Sequence, residues 1–195
     1  MCGFAVYKET VNDTFIKRRG QDYTSSVKIN GYTFNHYLLS ITGEFTPQPF
    51  IDGDIVCVYN GEIYNHPFEK SDGENIIPLY RKYGFDFPKY LDGEYAIAIY
   101  DFERNWAIFV SDIFSSKPIW INSTECFSYQ SGVGGDKLKP STIIVRSLVD
   151  GANIVYTKYH SFDFTQHKDT YDDCIKAFEN AVNKRKKPNC FLGLS

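Results

Sequence analysis

A cysteine at position 2 carries two reactive groups once the initiator methionine is removed, a thiol and a free α-amine on one residue. An α-amine with a pKa of roughly 7.7–8.0 can take the thiol proton near neutral pH, so one residue can supply both nucleophile and base. The same cysteine would also suit the buried start of a strand. Asn60-Gly61-Glu62 sets a side-chain amide donor beside a glycine N–H, a pair able to hold an oxyanion on a tight turn. Asn-Gly is equally a common plain turn. Asp72 offers a carboxylate to an ammonium group, while Ser71 and Glu74 around it have the S-x-x-E spacing of a helix capping box. Arg18-Arg19-Gly20-Gln21-Asp22 reads as an anion-binding turn or as a charged loop. His36, inside an apolar run, reads as a core histidine with satisfied ring nitrogens.

These residues must be positioned mostly by strands. Short apolar runs at 2–7, 32–41, 55–59, 95–100, 106–110, 119–121, 142–145 and 153–156 are separated by Gly, Asp, Asn and Ser. The stretch Glu94-Tyr95-Ala96-Ile97-Ala98-Ile99-Tyr100-Asp101 is apolar at both parities, as in a strand covered on both faces. One helix is expected from Ser71 to a stop at Gly84, kinked or shortened by Pro78. A second is expected over 171–187, with Tyr171, Cys174, Ile175, Phe178 and Val182 along one stripe. Pro188 ends it, and 189–195 reads as the opening of a buried strand.

The 195 residues are 43% hydrophobic and 17% aromatic, enough to bury one main core. Twenty-one basic and 24 acidic residues give a formal net charge of -3 without long runs of one sign, which argues against a phosphate-tracking nucleic-acid surface. No stretch resembles a signal peptide or membrane span. The 5 cysteines form no C-x-x-C pair and the 4 histidines have no metal-ligand spacing. Reduced thiols, a cytoplasmic location and no metal site are therefore expected.

The order of the motifs is more specific than any one of them. Met1-Cys2-Gly3-Phe4, Arg19-Gly20-Gln21-Asp22, His36-Tyr37-Leu38-Leu39-Ser40-Ile41, Gln48-Pro49-Phe50, Tyr59-Asn60-Gly61-Glu62-Ile63-Tyr64-Asn65, Ser71-Asp72-Gly73-Glu74 and Leu91-Asp92-Gly93-Glu94-Tyr95 follow one another, and the stretch from Asp112 to Trp120 continues the series. The whole closely resembles the class II glutamine amidotransferase domain of the glutamine-hydrolysing asparagine synthetase family. The resemblance implies an α+β, N-terminal nucleophile hydrolase fold, with two antiparallel sheets sandwiched between helical layers. It further implies that Cys2 forms a glutamyl thioester, Asn60 and Gly61 hold the oxyanion, and Asp72 grips the substrate ammonium. Leu38, Leu39, Ser40, Ile41 and Glu62 would complete the glutamine pocket.

By this resemblance a glutaminase domain spans 2–160. Residues 161–195 would form the linker, helix and first strand of an ATP-pyrophosphatase-type synthetase domain. The family's phosphate loop begins L-S-G-G-x-D-S, and Leu194-Ser195 matches only its opening. ATP and Mg are expected only for that absent domain, with no cofactor in this chain, and a synthetase half could be supplied in trans. Three departures stand out. Leu38 replaces the arginine of H-x-R-L-S-I that meets the glutamine α-carboxylate, with Arg18 as a conceivable substitute cation. Ser111 and Ser115 replace the arginine and glycine of R-D-x-x-G, which reads as loosening where a synthetase domain would face. Gln21 replaces a proline. Two further readings stay open: a non-catalytic module of this fold, and a class II amidotransferase serving another acceptor such as a sugar phosphate.

Overall fold

The computed structural model describes residues 2–9, 11–41, 43–122, 125–128, 135–165 and 170–186. In chain order the elements are β1 (Gly3–Tyr7), α1 (Thr14–Lys17), β2 (Tyr23–Ile29), β3 (Tyr32–Leu38), β4 (Phe50–Asp52), β5 (Ile55–Ile63), α2 (Ile76–Tyr83), β6 (Gly93–Asp101), β7 (Trp106–Ser111), β8 (Ile119–Ile121), β9 (Cys126–Ser128), β10 (Asp136–Lys137), β11 (Thr142–Ser147), β12 (Asn153–Lys158) and α3 (Asp172–Arg185). The strands form two six-stranded sheets, β10-β8-β9-β1-β3-β2 and β12-β11-β7-β6-β5-β4. Every described pairing is antiparallel.

The sheets face each other across an apolar core. From the first come Phe4, Val6, Phe34 and Ile119; from the second Val56, Val58, Ala96, Ala98, Tyr100 and Phe109. Strand β6 shows why its sequence is apolar at both parities. Ala96 and Ala98 face the other sheet, where small side chains let the two layers close, while Tyr95, Ile97 and Ile99 pack on the opposite face with Ile76, Ile77 and Tyr80 of α2. On the outer face of the first sheet Ile16 of α1 packs with Ala5, Tyr37 and Phe127. The two-sheet α+β arrangement is as expected, though α1 has only 4 residues and α2 only 8, so the helical layers are thin.

Three local expectations are corrected. Asn60-Gly61 is not a turn: it lies inside β5, with Asn60 opposite Ala96 and Gly61 opposite Tyr95. A Cβ on Gly61 would stand 2.1 Å from the Glu94 carbonyl oxygen, so the glycine serves the close approach of two strands. The Asn-Gly turn is elsewhere, at Asn30-Gly31, where φ values of 47° and 81° join β2 to β3. The expected capping box at Ser71 does not form. Ser71 makes no capping bond through its side chain, and Asp72–Asn75 is a 3-10 turn that runs into α2 before the helix stops at Gly84 with φ 56°. Pro78 is accommodated in the first turn of α2, where its missing N–H costs no helical bond.

The chain divides into two compact units, Met1–Ser161 and Phe162–Ser195. In the second, α3 buries none of its residues, and Tyr171, Ile175, Phe178 and Val182 are exposed. The strand expected over 189–195, with Leu194-Ser195, lies outside the described residues.

Candidate functional site

Cys2 immediately precedes β1. The pairing of Gly3 with Tyr37 brings it beside the end of β3. There the Leu39 N–H donates to Cys2 Sγ at 3.4 Å, and the thiol donates to the Leu39 carbonyl at 3.6 Å. Arg19 Nε donates to the Cys2 carbonyl at 3.4 Å. Gly20 makes this approach possible, because a Cβ there would lie 2.0 Å from the Tyr37 carbonyl oxygen. Burial pushes the thiol above its ordinary pKa, against the opposing Leu39 N–H. A thiol so placed stays protonated near neutral pH and needs a base to react.

Asn60 comes from the other sheet. It is 1% exposed, and its Nδ2 has no hydrogen-bond partner among the described residues. A buried donor left open in this way is costly unless something fills it. Both Asn60 and Cys2 line one cleft of about 700 Å³ that opens to solvent, together with Leu38, Leu39, Ser40, Ile41, Gly61, Glu62 and Asp72. The nine residues that the resemblance assigns to the glutamine site thus meet in one place.

The cleft also holds residues that sequence reasoning did not single out as site groups. Gln48 Oε1 accepts from the Tyr59 N–H at 2.7 Å, extending the β5 ladder beyond the short strand β4. Tyr59 OH and the Ile63 N–H donate to Asp72 Oδ2 at 2.8 and 2.6 Å, and the Gly73 N–H donates to Oδ1 at 3.0 Å. This fixes the Asp72 carboxylate at the cleft wall. Burial, and then the Asp72 charge, hold the Tyr59 hydroxyl well above its ordinary pKa, so it remains a donor.

Glu62 and Glu94 stand opposite each other across β5 and β6, and Lys117 Nζ lies 3.0 Å from Glu94 Oε2. Tyr64 OH donates to the other Glu94 oxygen at 3.1 Å. Lys117 is delivered by the loop that Asp112 organises. Buried Asp112 accepts from the Tyr95, Phe114, Ser116 and Lys117 N–H groups at 2.9–3.3 Å. The Asp in the Asp112–Trp120 stretch was the available signal for that loop; nothing in the sequence pointed to the pairing of Lys117 with Glu94.

Several candidate residues fall elsewhere. Arg18 is not among the cleft residues. Its guanidinium lies over the Phe15 ring at 5.7 Å, and it lines a separate shallow depression with Thr14, Lys17, Gly20, Gln21 and Thr24. Asp22 of the same segment instead accepts from the Ser40 N–H at 2.7 Å and steadies the β3 exit. His36 is fully buried but not satisfied, since neither ring nitrogen has a hydrogen-bond partner among the described residues. Burial lowers its pKa to about 3, which keeps it neutral. Ser111 is internal and does not loosen a surface: its hydroxyl donates to the Lys139 carbonyl at 2.5 Å and accepts from the Thr142 N–H at 3.3 Å. Among the described residues no group of three or more His, Cys, Asp and Glu could hold a metal ion. None of the described helices is long and apolar enough to cross a membrane.

Comparison with known proteins gives a consistent picture. A family model described as a glutamine amidotransferase domain matches residues 1–182. Asparagine synthetase [glutamine-hydrolyzing] 1 of Saccharomyces cerevisiae is 38% identical over 111 residues, covering 50% of this chain and 19% of that protein. The Asparagus officinalis asparagine synthetase [glutamine-hydrolyzing] is 28% identical over 87% of this chain and 33% of its own length. Amidase chyE of Penicillium rubens is 31% identical over 54% of this chain and 18% of its own length. The chain therefore spans at most about a third of these curated relatives. Among solved structures, the glutamine phosphoribosylpyrophosphate amidotransferase of B. subtilis superposes with a TM-score of 0.59 at 14% identity, covering 83% of this chain and 50% of that one. At that identity the likeness shows the fold, the N-terminal nucleophile hydrolase arrangement.

Proposed function

The chain belongs to the glutamine amidotransferase domain family, and on that premise we propose that it hydrolyses the side-chain amide of glutamine, with Cys2 as the nucleophile. The observation that carries the reading is the unpartnered, buried Asn60 Nδ2 in the cleft that also holds the Cys2 thiol. With Met1 removed, the Cys2 α-amine takes the thiol proton as Sγ attacks the amide carbon. The amide oxygen becomes an oxyanion facing donors in the Asn60-Gly61 strand. The C–N bond then breaks, the α-ammonium returns its proton to the leaving nitrogen, and ammonia departs from a glutamyl thioester. Water attacks the thioester, giving glutamate and restoring the thiol. Asp72, held by Tyr59 and the Ile63 N–H, receives the substrate ammonium, and Glu62 with the backbone of Leu39, Ser40 and Ile41 lines the rest of the pocket.

The ammonia would feed an asparagine-synthetase-like partner domain, either continuous with this chain or separate from it. The names of the relatives and the exposed apolar stripe Ile175, Phe178 and Val182 on α3 support this reading. The hydrolysis itself calls for no cofactor; ATP and Mg would serve only the synthetase domain. Among the described residues Cys2, Cys57, Cys126 and Cys174 are free thiols, which suits a cytoplasmic, reducing location.

The test is glutamate release from glutamine by protein whose intact mass shows that Met1 is gone. Cys2→Ala is expected to abolish release while leaving the thermal midpoint unchanged. Silence from correctly processed wild-type protein, with no labelling of Cys2 by an electrophilic glutamine analogue, would instead favour a non-catalytic module.

A further inference from the structure

The cleft around Cys2 has an unusual charge balance for a zwitterionic amino acid. Its lining carries the carboxylates Glu44, Glu62, Asp72 and Glu94 but, among the described residues, one cation, Lys117. That ammonium is committed. It is 8% exposed, lies 3.0 Å from Glu94 Oε2, and offsets the carboxylate of Glu94, which stands opposite Glu62 in register. Turning Lys117 towards a substrate carboxylate would strip Glu94 of its counter-ion, and the pair would then repel. Arg19, the cation beside Cys2, donates to the Cys2 carbonyl at 3.4 Å and is not among the residues lining the cleft, whereas Leu38 is buried in the cleft wall and Ile41 is 72% exposed at its rim.

Free glutamine presents an ammonium and a carboxylate on one carbon. The ammonium finds Asp72 and its neighbours, whereas the α-carboxylate would enter an acidic cleft in which Lys117 is already occupied. A ligand with the same side-chain amide and free amine, but with its α-carboxyl tied up as an amide, has no such conflict. It carries a net positive charge that matches the lining, and the open rim leaves room for a chain continuing beyond the α-carbonyl.

We infer that this cleft is selective for glutamine γ-carboxamides with a free α-amine and an α-carboxyl in amide linkage, as at the N-terminus of a peptide. The inference rests on the thiol hydrolysis proposed above and specifies its substrate. The bond changes are the same: the γ C–N bond breaks, ammonia leaves, and water completes a γ-carboxylate on an otherwise unaltered residue.

The experiment compares kcat/KM for L-glutamine and L-glutamine α-N-methylamide on the full chain with Cys2 at its N-terminus. Product is read by mass as the γ-carboxylate, which separates hydrolysis from the spontaneous ring closure of an N-terminal glutamine. The methylamide is expected to be preferred by about tenfold or more, the usual discrimination from one unmet charged hydrogen bond. Leu38→Arg is expected to move the ratio towards free glutamine. Equal rates, or a preference for glutamine in the wild-type chain, would overturn the inference and leave the glutaminase reading standing. Turnover of neither compound, with Cys2 unlabelled by an electrophilic glutamine analogue, would instead sink the hydrolysis on which it rests.

Discussion

Asn60 is the residue at which folding and chemistry pull in opposite directions. A strand interior buried between sheets would be more stable with an apolar side chain, because an unpaired amide donor there has lost its water without gaining a partner. On the proposed mechanism that cost is tolerated because the donor is open for an oxygen that becomes charged only during the reaction. Asn60→Ala is therefore expected to lower kcat for ammonia release about 10²–10³-fold, the usual loss for one oxyanion donor. KM should change far less, and the thermal midpoint should hold, since the β5 pairing is carried by the backbone. Steady-state kinetics and a melting curve on the same preparation check both statements. An equal rise in KM with kcat intact would assign Asn60 to binding rather than to the oxyanion.

Among the elements, the loop from Asp112 to Lys117 is built under local strain. Ser115 holds φ 54°, in the left-handed region that glycine occupies freely and a side chain does not. Among the described residues its hydroxyl reaches the Leu138 carbonyl alone, at 3.5 Å. Ser115→Gly is expected to stabilise the chain by about 1 kcal/mol, seen as a rise in melting temperature of about 2–4 °C. An unchanged or lower melting point would mean that the Ser115 hydroxyl matters more than the backbone.

The elements also mark what the sequence could convey. Strand β6 was legible because an apolar run at both parities, bounded by Glu94 and Asp101, suits a strand covered on both faces and little else. Through the family resemblance, the ordered motifs likewise pointed to nine of the residues that line the cleft without any structure. Strand β2 was missed because Thr24, Ser25 and Ser26 give a largely exposed edge strand little apolar signal, although Asn30-Gly31 marked its hairpin. Strand β4 has 3 residues, too few to show a period. The same dipeptide at 60–61 reads as a turn in sequence, because only pairing with β6 distinguishes a glycine needed for close approach from one needed for a positive φ. Glu94 and Lys117 were out of reach for the same reason. Their meeting depends on strand register and on the fold of a loop, not on spacing along the chain.

For the whole molecule, His36 couples stability to pH. It is fully buried with its pKa lowered from 6.5 to about 3, so the unfolded chain binds a proton that the folded chain refuses throughout that interval. Its contribution is complete above about pH 6.5 and is lost progressively as pH falls towards 3, up to about 5 kcal/mol in all. Between pH 6.5 and 4.5 the loss carried by His36 is about 2–3 kcal/mol. Denaturant midpoints measured across this window should fall for the wild-type chain and stay nearly level for His36→Leu. Parallel curves would show that the imidazole takes up its proton within the folded core.

Cys2, the proposed nucleophile, and Asn60, the proposed oxyanion donor, reach the same cleft from opposite sheets, and Ala96, the direct partner of Asn60, faces the layer between them. The packing thickness of that layer acts as a gauge for the reaction. Widening it by a methyl group or two would leave every reacting side chain in place, and yet the parts of the machine would no longer meet.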